Sequence, residues 1–165
     1  MPLTFRNITT SPDDPVDTWP SEAIVTAMER GDLVYLALLA SAIDADPWGR
    51  TARQIEEALG HTRPYGVAEL MTEAIRRARR RSEESERAAV ADALRDLVSR
   101  SGLSRAEFAS RLGTSRSRLS TYLNGKVIPS AALMVRAQRV STSGIGSADD
   151  APGRRRMAPA RPGQA

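Results

Sequence analysis

Arginine, serine and threonine are concentrated in one short polar stretch, "SRLGTSRSRLSTYLNGK", which runs from Ser110 to Lys126. Guanidinium groups bind phosphates and guanine edges, and short hydroxyl side chains bind base edges at close approach. Between Ser104 and Lys126 the chain has five basic residues and one acidic residue. These residue types point to binding of a polyanion rather than to bond-making chemistry.

Residues suited to catalysis or metal binding are sparse elsewhere in the sequence. The chain has no cysteine and one histidine, His61, which lies in a predicted loop without companion ligands. The acidic pairs at 13–14, 44/46 and 56–57 are interpreted as solvated charges in loops or on helix faces. The sequence has no glycine-rich phosphate-binding loop. We therefore expect a protein that is not an enzyme, with no catalytic residues, no metal site and no cofactor.

Charge is divided unevenly along the chain. Residues 1–75 carry 5 arginines and 12 acidic residues, a net charge of −7, whereas residues 76–165 carry 19 basic and 8 acidic residues, a net charge of +11. The two values sum to the net charge of +4 for the whole chain. Such asymmetry indicates a C-terminal half that faces a polyanion and an N-terminal half with a different task; neutralisation of one half by the other is the alternative.

The N-terminal half predicts three helices in an acidic bundle. The first spans about Ser21–Arg30, and the second spans about 32–44 and is apolar around most of its circumference, which is typical of a central helix. The third has capping-box spacing at Thr51 and Gln54 and ends before Gly60. Trp19 and Trp48 are expected to anchor this bundle.

Helical periodicity returns from about Tyr65 and continues to near Gly102. Its middle, "RRARRRSEESER" at residues 76–87, has no apolar face. The pattern favours one long or kinked helix, with Arg79–Glu83 and Arg80–Glu84 ion pairs on a solvated face. Two helices with a break around Ser82 and Ser85 are the alternative.

The spacing around the polar stretch predicts two short helices joined by a tight turn. Ser104 and Glu107 have capping-box spacing, Gly113 supplies a residue tolerant of positive φ, and Ser115 caps the second helix. Ala109 is small enough for a close helix crossing. The side chains predicted to face inward are Phe108, Leu112, Leu119 and Tyr122. The second helix is expected to stop at Asn124–Gly125.

The segment "LSRAEFASRLGTSRSRLSTYLNGKVIPSAALMVRAQRV" resembles the helix-turn-helix of the phage-repressor and Cro type, the Xre family of regulators. The resemblance covers about Ala88–Val140, roughly a third of the chain. It implies a five-helix domain in which a short turn near Val127, or a split of the last segment, supplies the fifth helix. The other four are expected at Ala89–Ser101, Ser104–Arg111, Ser115–Leu123 and after Pro129–Ser130.

The resemblance also implies that Ser115–Leu123 is the recognition helix in the major groove of double-stranded DNA. Arg116, Ser117 and Thr121 are expected to contact bases, and Arg118 a base or a phosphate. Arg105 is expected to bind a phosphate, and Ser115, Asn124 and Lys126 to contact the DNA backbone. Proteins of this type commonly bind palindromic operators as homodimers.

The predicted fold class is all-α: a small N-terminal helical bundle linked by a long helix to a helix-turn-helix domain. The expected organisation is a flexible lead-in (1–17), an acidic bundle (18–75), a charged linking helix (76–87), a DNA-binding domain (88–140) and a disordered tail (141–165). The predicted function is sequence-specific, DNA-binding transcriptional regulation.

Location and partners follow from two further features of the sequence. No apolar run reaches the roughly 18 residues needed to cross a bilayer, and the N-terminus lacks a signal pattern, so we expect a cytoplasmic, nucleoid-associated protein with no membrane partner. A second function stays open. The protein is alternatively an antitoxin or adaptor whose N-terminal bundle binds a protein partner while the helix-turn-helix autoregulates.

Overall fold

The computed structural model describes residues 3–5 and 9–145, with side chains as far as Ser143. All regular structure in these residues is helical, which confirms the all-α fold class. A 3-10 turn at Val16–Thr18 precedes seven α-helices. The helices are α1 (Ser21–Arg30), α2 (Leu33–Ala45), α3 (Arg50–His61), α4 (Val67–Arg100), α5 (Arg105–Leu112), α6 (Arg116–Leu123) and α7 (Ala131–Ile145).

The chain divides into two compact units between Glu86 and Arg87. The N-terminal unit contains α1, α2, α3 and the first part of α4, and the C-terminal unit contains the rest of α4 with α5, α6 and α7. No helix in the described residues is long and apolar enough to span a bilayer.

The N-terminal unit is built around large apolar side chains from every one of its helices. Its fully buried large residues are Trp19, Ile24, Met28, Leu39, Ile43, Ile55 and Met71. Helix α1 has the predicted bounds, and Trp19 anchors the core as predicted, but Trp48 is half exposed.

Helix α2 was predicted to lie at the centre of the bundle, and this prediction is wrong. Leu36, Leu39 and Ile43 are buried along one side of the helix, whereas Leu33 is 80% exposed, Val34 63% and Leu38 41%. The helix therefore buries one stripe and leaves a second apolar stripe in contact with solvent.

Helix α3 begins two residues earlier than predicted and continues through Gly60 to His61. Gly49 is its N-cap residue, so Thr51 and Gln54 lie inside the helix and are buried instead of forming a capping box. The Gln54 amide nitrogen donates to the Trp19 carbonyl at 3.2 Å and lies 3.3 Å from the Ser21 hydroxyl. These polar residues therefore tie α3 to the start of α1.

Part of the predicted flexible lead-in packs on the core. Leu3 is buried, and the ring of Phe5 meets that of Trp19 edge-on, with 5.1 Å between centroids. The Trp19 indole N–H donates to the Asp14 carbonyl at 2.9 Å. Burial of these rings offsets the entropy of ordering the segment, which its proline- and aspartate-rich composition did not indicate.

Helix α4 is continuous from Val67 to Arg100, so the long helix is confirmed and there is no break at Ser82 or Ser85. The predicted Arg79–Glu83 pair does not form. Arg79 instead makes a two-pronged ion pair with Glu56 of α3, with N–O distances of 2.7 and 2.9 Å.

The Arg79 side chain has two further contacts in the N-terminal unit. Its Nε donates to the Pro47 carbonyl at 3.1 Å, and its guanidinium lies 4.4 Å from the Trp48 ring centroid. The hydrogen bonds to the Glu56 carboxylate raise the pKa of Arg79 above its ordinary value. Arg80 likewise pairs with Glu73 rather than with Glu84.

The core of the C-terminal unit is formed by buried side chains from all of its helices, chiefly Leu94, Phe108, Ala109, Leu112, Leu119, Tyr122 and Ala137. The unit has four helical segments in the described residues, not the five that the resemblance implied. Residues 124–130 form a turn followed by an irregular segment rather than a short helix, and α7 is undivided.

Helix α7 also extends into residues that the sequence assigned to the tail. Leu133, Ala137 and Ser141 are buried at four-residue spacing, so the small Ser141 side chain continues the stripe and the helix runs to Ile145. The remainder of the predicted tail, residues 146–165, lies outside the described residues.

Candidate nucleic-acid interface

The first helix of the candidate interface, α5, begins at a complete capping box, as predicted. The Ser104 hydroxyl accepts from the Glu107 backbone N–H at 3.3 Å, and the Glu107 carboxylate accepts from the Ser104 backbone N–H at 3.0 Å. The Ser104 hydroxyl also lies 2.6 Å from this carboxylate and is the main reason that the pKa of Glu107 is lowered. Arg105, the first residue of α5, is exposed beside this box.

The turn after α5 depends on Gly113. Its φ of +75° lies in the left-handed region, and its N–H donates to the Ser110 carbonyl at 3.1 Å. The Thr114 N–H donates to the Ala109 carbonyl at 3.0 Å, which completes a Schellman motif. A Cβ at Gly113 would approach Arg136 no closer than 3.6 Å, so the backbone conformation and not space requires glycine here.

Ser115 is the N-cap residue of α6, and its hydroxyl accepts from the Arg118 backbone N–H at 3.1 Å. The N–H groups of Arg116 and Ser117 lie in the same first turn, where no carbonyl four residues earlier belongs to the helix. These amides stand at the positive end of the helix dipole. The start of α6 is therefore suited to an anionic group.

The outward face of α6 is polar, and its inward face holds the helix on the core. Leu119 and Tyr122 are buried, whereas Arg116 and Ser117 are exposed. Within the described residues neither the Arg116 nor the Ser117 side chain has a hydrogen-bond or ion-pair partner. Both are free to bind a ligand without breaking an existing contact.

Arg118 and Thr121 are partly engaged within the helix. The Arg118 Nε donates to the Tyr122 hydroxyl at 2.9 Å, which directs the guanidinium towards the end of α6. The Thr121 hydroxyl donates to the Arg118 carbonyl at 2.7 Å, so its oxygen retains accepting capacity only.

The end of α6 repeats the turn found after α5. Gly125 has φ +66° and donates to the Tyr122 carbonyl at 3.0 Å, and the Lys126 N–H donates to the Thr121 carbonyl at 3.0 Å. This is a second Schellman motif. It leaves the side chains of Asn124 and Lys126 exposed just beyond the helix.

Two arginines outside the predicted site hold the ends of these helices. The Arg136 guanidinium donates to the Leu112 carbonyl at the end of α5 at 3.3 Å, and the Arg95 Nε donates to the Leu123 carbonyl at the end of α6 at 3.0 Å. A cation at a helix C-terminus stabilises the otherwise unpaired carbonyls. The partners lie 24 and 28 residues apart in sequence, so no local spacing indicated them.

The predicted site residues fall into four places on this scaffold. Arg105 lies at the start of α5, Ser115–Ser117 at the start of α6, and Asn124 and Lys126 at its end. Arg118 and Thr121 lie between these two ends of α6. In the described residues no group of three or more histidine, cysteine or acidic side chains is placed to hold a metal ion.

Comparison with known families gives one match: a family described as "Helix-turn-helix domain" matches residues 72–141. This segment is a helix-turn-helix domain. The match includes α5, the Gly113 turn and α6, and it does not reach α1, α2 or α3. No curated protein and no solved structure matches the chain. The helix-turn-helix domain supports a DNA-binding role for this part of the protein.

Proposed function

We propose that the protein is a sequence-specific transcriptional regulator that inserts α6 into the major groove of double-stranded DNA. The observation that carries this proposal is the outward face of α6, where Arg116 and Ser117 are exposed and unpartnered among the described residues. A guanidinium on such a face can bond the O6 and N7 atoms of guanine, and a serine hydroxyl can bond a neighbouring base edge.

Contacts to the DNA backbone would fix the position of α6. Arg105 and the first-turn amides after Ser115 present positive charge to phosphate, and Lys126 and the Asn124 amide extend beyond the other end of the helix. Arg118 is oriented by Tyr122 towards that same end, so we assign it to a phosphate rather than to a base. Thr121 would accept a hydrogen bond from a base amino group.

The scaffold supports this assignment because α6 is held at both ends. Ser115 caps its start, while Gly125 and Arg95 fix its end. A recognition helix must keep its side chains in place to discriminate bases, and these contacts supply that constraint. We further propose that the domain is of the Xre type and acts as a cytoplasmic, nucleoid-associated homodimer on half-sites about one helical turn apart.

The test starts from binding sites selected by the full-length protein from a random double-stranded DNA library. Replacing Arg116 with alanine should cost about 1–3 kcal/mol on the selected site and relax the preference at one base pair. Arg53→Ala is a matched control because Arg53 is also an exposed helical arginine, in α3 of the N-terminal unit. An unchanged selection profile for Arg116→Ala would remove this residue from base recognition.

Arg105 is expected to behave differently because a phosphate contact carries no sequence information. Arg105→Ala should weaken binding about equally on the selected site and on unrelated DNA, and should reduce the slope of log affinity against log salt by about one. Fluorescence anisotropy titrations at several salt concentrations measure both quantities. A loss confined to the selected site would instead identify Arg105 as a base contact.

A further inference from the structure

The second apolar stripe of α2 groups three of the exposed large hydrophobic side chains of the N-terminal unit on one helix face. Leu33, Val34 and Leu38 form it, and the small residues Ala37 and Ser41 lie exposed beside them at helical spacing. Large apolar side chains grouped in this way mark interaction sites on soluble proteins. A helix that already packs one stripe on its own core has this second stripe available for a partner.

Two surface hollows flank Leu38 and give this stripe its shape. Val16 and Leu38 line both hollows, Val34 and Tyr35 line one, and Ala42 lines the other. Apolar side chains of a partner could enter on either side of Leu38. Small residues such as Ala37 would allow a second helix to approach closely, because ridges of one helix pack into grooves of another.

The rim of these hollows is acidic. Carboxylates line both hollows, with one arginine, Arg50, among the lining residues. The acidic residues are Asp13, Asp14, Asp17, Asp32 and Asp46. Within the described residues none of them forms an ion pair. Among the described residues, the rim therefore carries five carboxylates and one arginine around an apolar centre.

This combination of shape and charge identifies one class of occupant. We infer that the α2 stripe and its acidic rim bind an amphipathic helix of another protein, whose apolar face is flanked by lysine or arginine. A second copy of this chain would bring the same acidic rim against itself, and like charges at close range oppose association. A basic partner gains steering and selectivity from the same charges.

The inference goes beyond DNA recognition because none of its residues belongs to the helix-turn-helix domain. It gives a chemical identity to the protein partner that the sequence left open for the N-terminal bundle. Helices laid into apolar grooves by residues at three- and four-residue spacing are a common mode of recognition.

The test uses the full-length chain and two synthetic peptides. Both peptides carry leucines along one helical face; one has lysines flanking that face, and the other has glutamates in the same positions. Fluorescence anisotropy should detect binding of the lysine peptide and weaker or no binding of the glutamate peptide. Binding of neither peptide, or equal binding of both, would overturn the inference.

Variants locate the binding on α2. The double variant Leu33→Gln/Leu38→Gln should weaken binding of the lysine peptide by at least about tenfold, because it removes two of the three large apolar side chains of the stripe. Leu70→Gln is the matched control, since Leu70 is 48% exposed on α4 of the same unit. Val34→Gln serves as a second, milder variant should the double variant lose helix content by circular dichroism. Unchanged binding in a folded variant would overturn the inference.

Two further measurements distinguish other occupants. Sedimentation that shows a dimer for the parent chain and a monomer for Leu33→Gln/Leu38→Gln would mean that a second copy covers the stripe. Peptide binding that appears only after residues 146–165 are deleted would mean that the chain's own C-terminal segment covers it. Either result would overturn the proposal of a separate basic partner.

Discussion

The two units fix their helices in different ways. In the C-terminal unit, Ser104, Ser115 and Ser130 bond the first-turn amides of α5, α6 and α7, and glycines with positive φ end α5 and α6. In the N-terminal unit, α1 and α3 follow Pro20 and Gly49 without a side-chain cap.

The N-terminal unit relies on contacts between residues distant in sequence. Gln54 bonds the Trp19 carbonyl across 35 positions, and Arg79 bonds Glu56 across 23. In the unit proposed to read DNA, local caps begin α5, α6 and α7, and the distant contacts of Arg95 and Arg136 are added at helix ends. In the unit proposed to bind a protein, α2 has a side-chain cap from Asp32, and contacts between distant residues hold α1, α3 and α4 together. Three predictions test this contrast, beginning with the largest expected effect.

Truncating a core side chain in one unit should shift the unfolding of that unit without shifting the unfolding of the other. Phe108→Ala should destabilise the C-terminal unit by about 3–5 kcal/mol, because Phe108 is fully buried in its core. Both tryptophans of the chain, Trp19 and Trp48, lie in the N-terminal unit, so tryptophan fluorescence follows that unit alone. In urea, the part of the circular dichroism change that comes from the C-terminal unit should move to lower urea concentration, while the fluorescence transition stays in place.

The control for this experiment is Ile55→Ala in the N-terminal core. It should lower the free energy of unfolding of the N-terminal unit by about 2–5 kcal/mol and so move the fluorescence transition to lower urea concentration. If Phe108→Ala moved both transitions equally, the units would unfold as one, and the contrast would not extend to their stability.

Glycine-to-alanine substitutions at Gly113 and at Gly60 should change stability in opposite directions. Gly113→Ala should lower stability by about 1–2 kcal/mol, because alanine is strained at φ +75°. Gly60→Ala should raise stability by about 0.5–1 kcal/mol, because Gly60 lies in α3 and an added Cβ meets nothing within 4 Å. Thermal unfolding of both variants and of the parent measures the two changes in stability. A stabilising Gly113→Ala would contradict the role given to the turn.

The smallest expected effect concerns pH and the capping box. The Ser104 hydroxyl and backbone N–H lower the pKa of Glu107 from its ordinary value of 4.5, so its ionised form stabilises the folded unit. This contribution is complete above the ordinary pKa and disappears as the pH falls through the lowered pKa of the folded state. The parent should therefore be more stable than Glu107→Gln at neutral pH, and the difference should shrink in acid.

Urea unfolding at several pH values, followed by circular dichroism, tests this expectation. In a Ser104→Ala background the pH-dependent difference between Glu107 and its glutamine variant should largely disappear, because the principal hydrogen bond to the carboxylate is absent. If this pH-dependent difference persisted unchanged, groups other than the capping box would be its cause.

The sequence alone was sufficient for the scaffold of α5 and α6. Ser104 with Glu107, the Gly113 turn and the buried Leu119 and Tyr122 were all predicted and are confirmed. Each depends on physics that acts within a few residues, such as a cap on the first turn or a left-handed turn residue. The roles of Arg116, Arg105 and the other predicted DNA contacts remain predictions.

Prediction was wrong where distant contacts compete with local ones. Thr51 and Gln54 have capping-box spacing, but both are buried inside α3, where the Gln54 amide bonds the Trp19 carbonyl. Arg79 and Glu83 have ion-pair spacing, but Glu56 and Trp48 offer Arg79 a better-packed site. The roles of Arg95 and Arg136 had no local signal, because their partners are carbonyl groups of other helices.

Helix α4 is buried near both ends and solvated in between. Buried residues stop at Ala78 and resume at Ala91, while almost every side chain from Arg80 to Ala89 is exposed. Over that interval the helix relies on its own propensity and on pairs such as Ser82–Glu86 rather than on a core. Helices usually fray from their ends, whereas we expect this one to open first in its middle, where no core supports it. Its central amide hydrogens should exchange with solvent earlier than those flanking them, and a protease that cleaves after Arg81 or Arg87 would leave both cores whole.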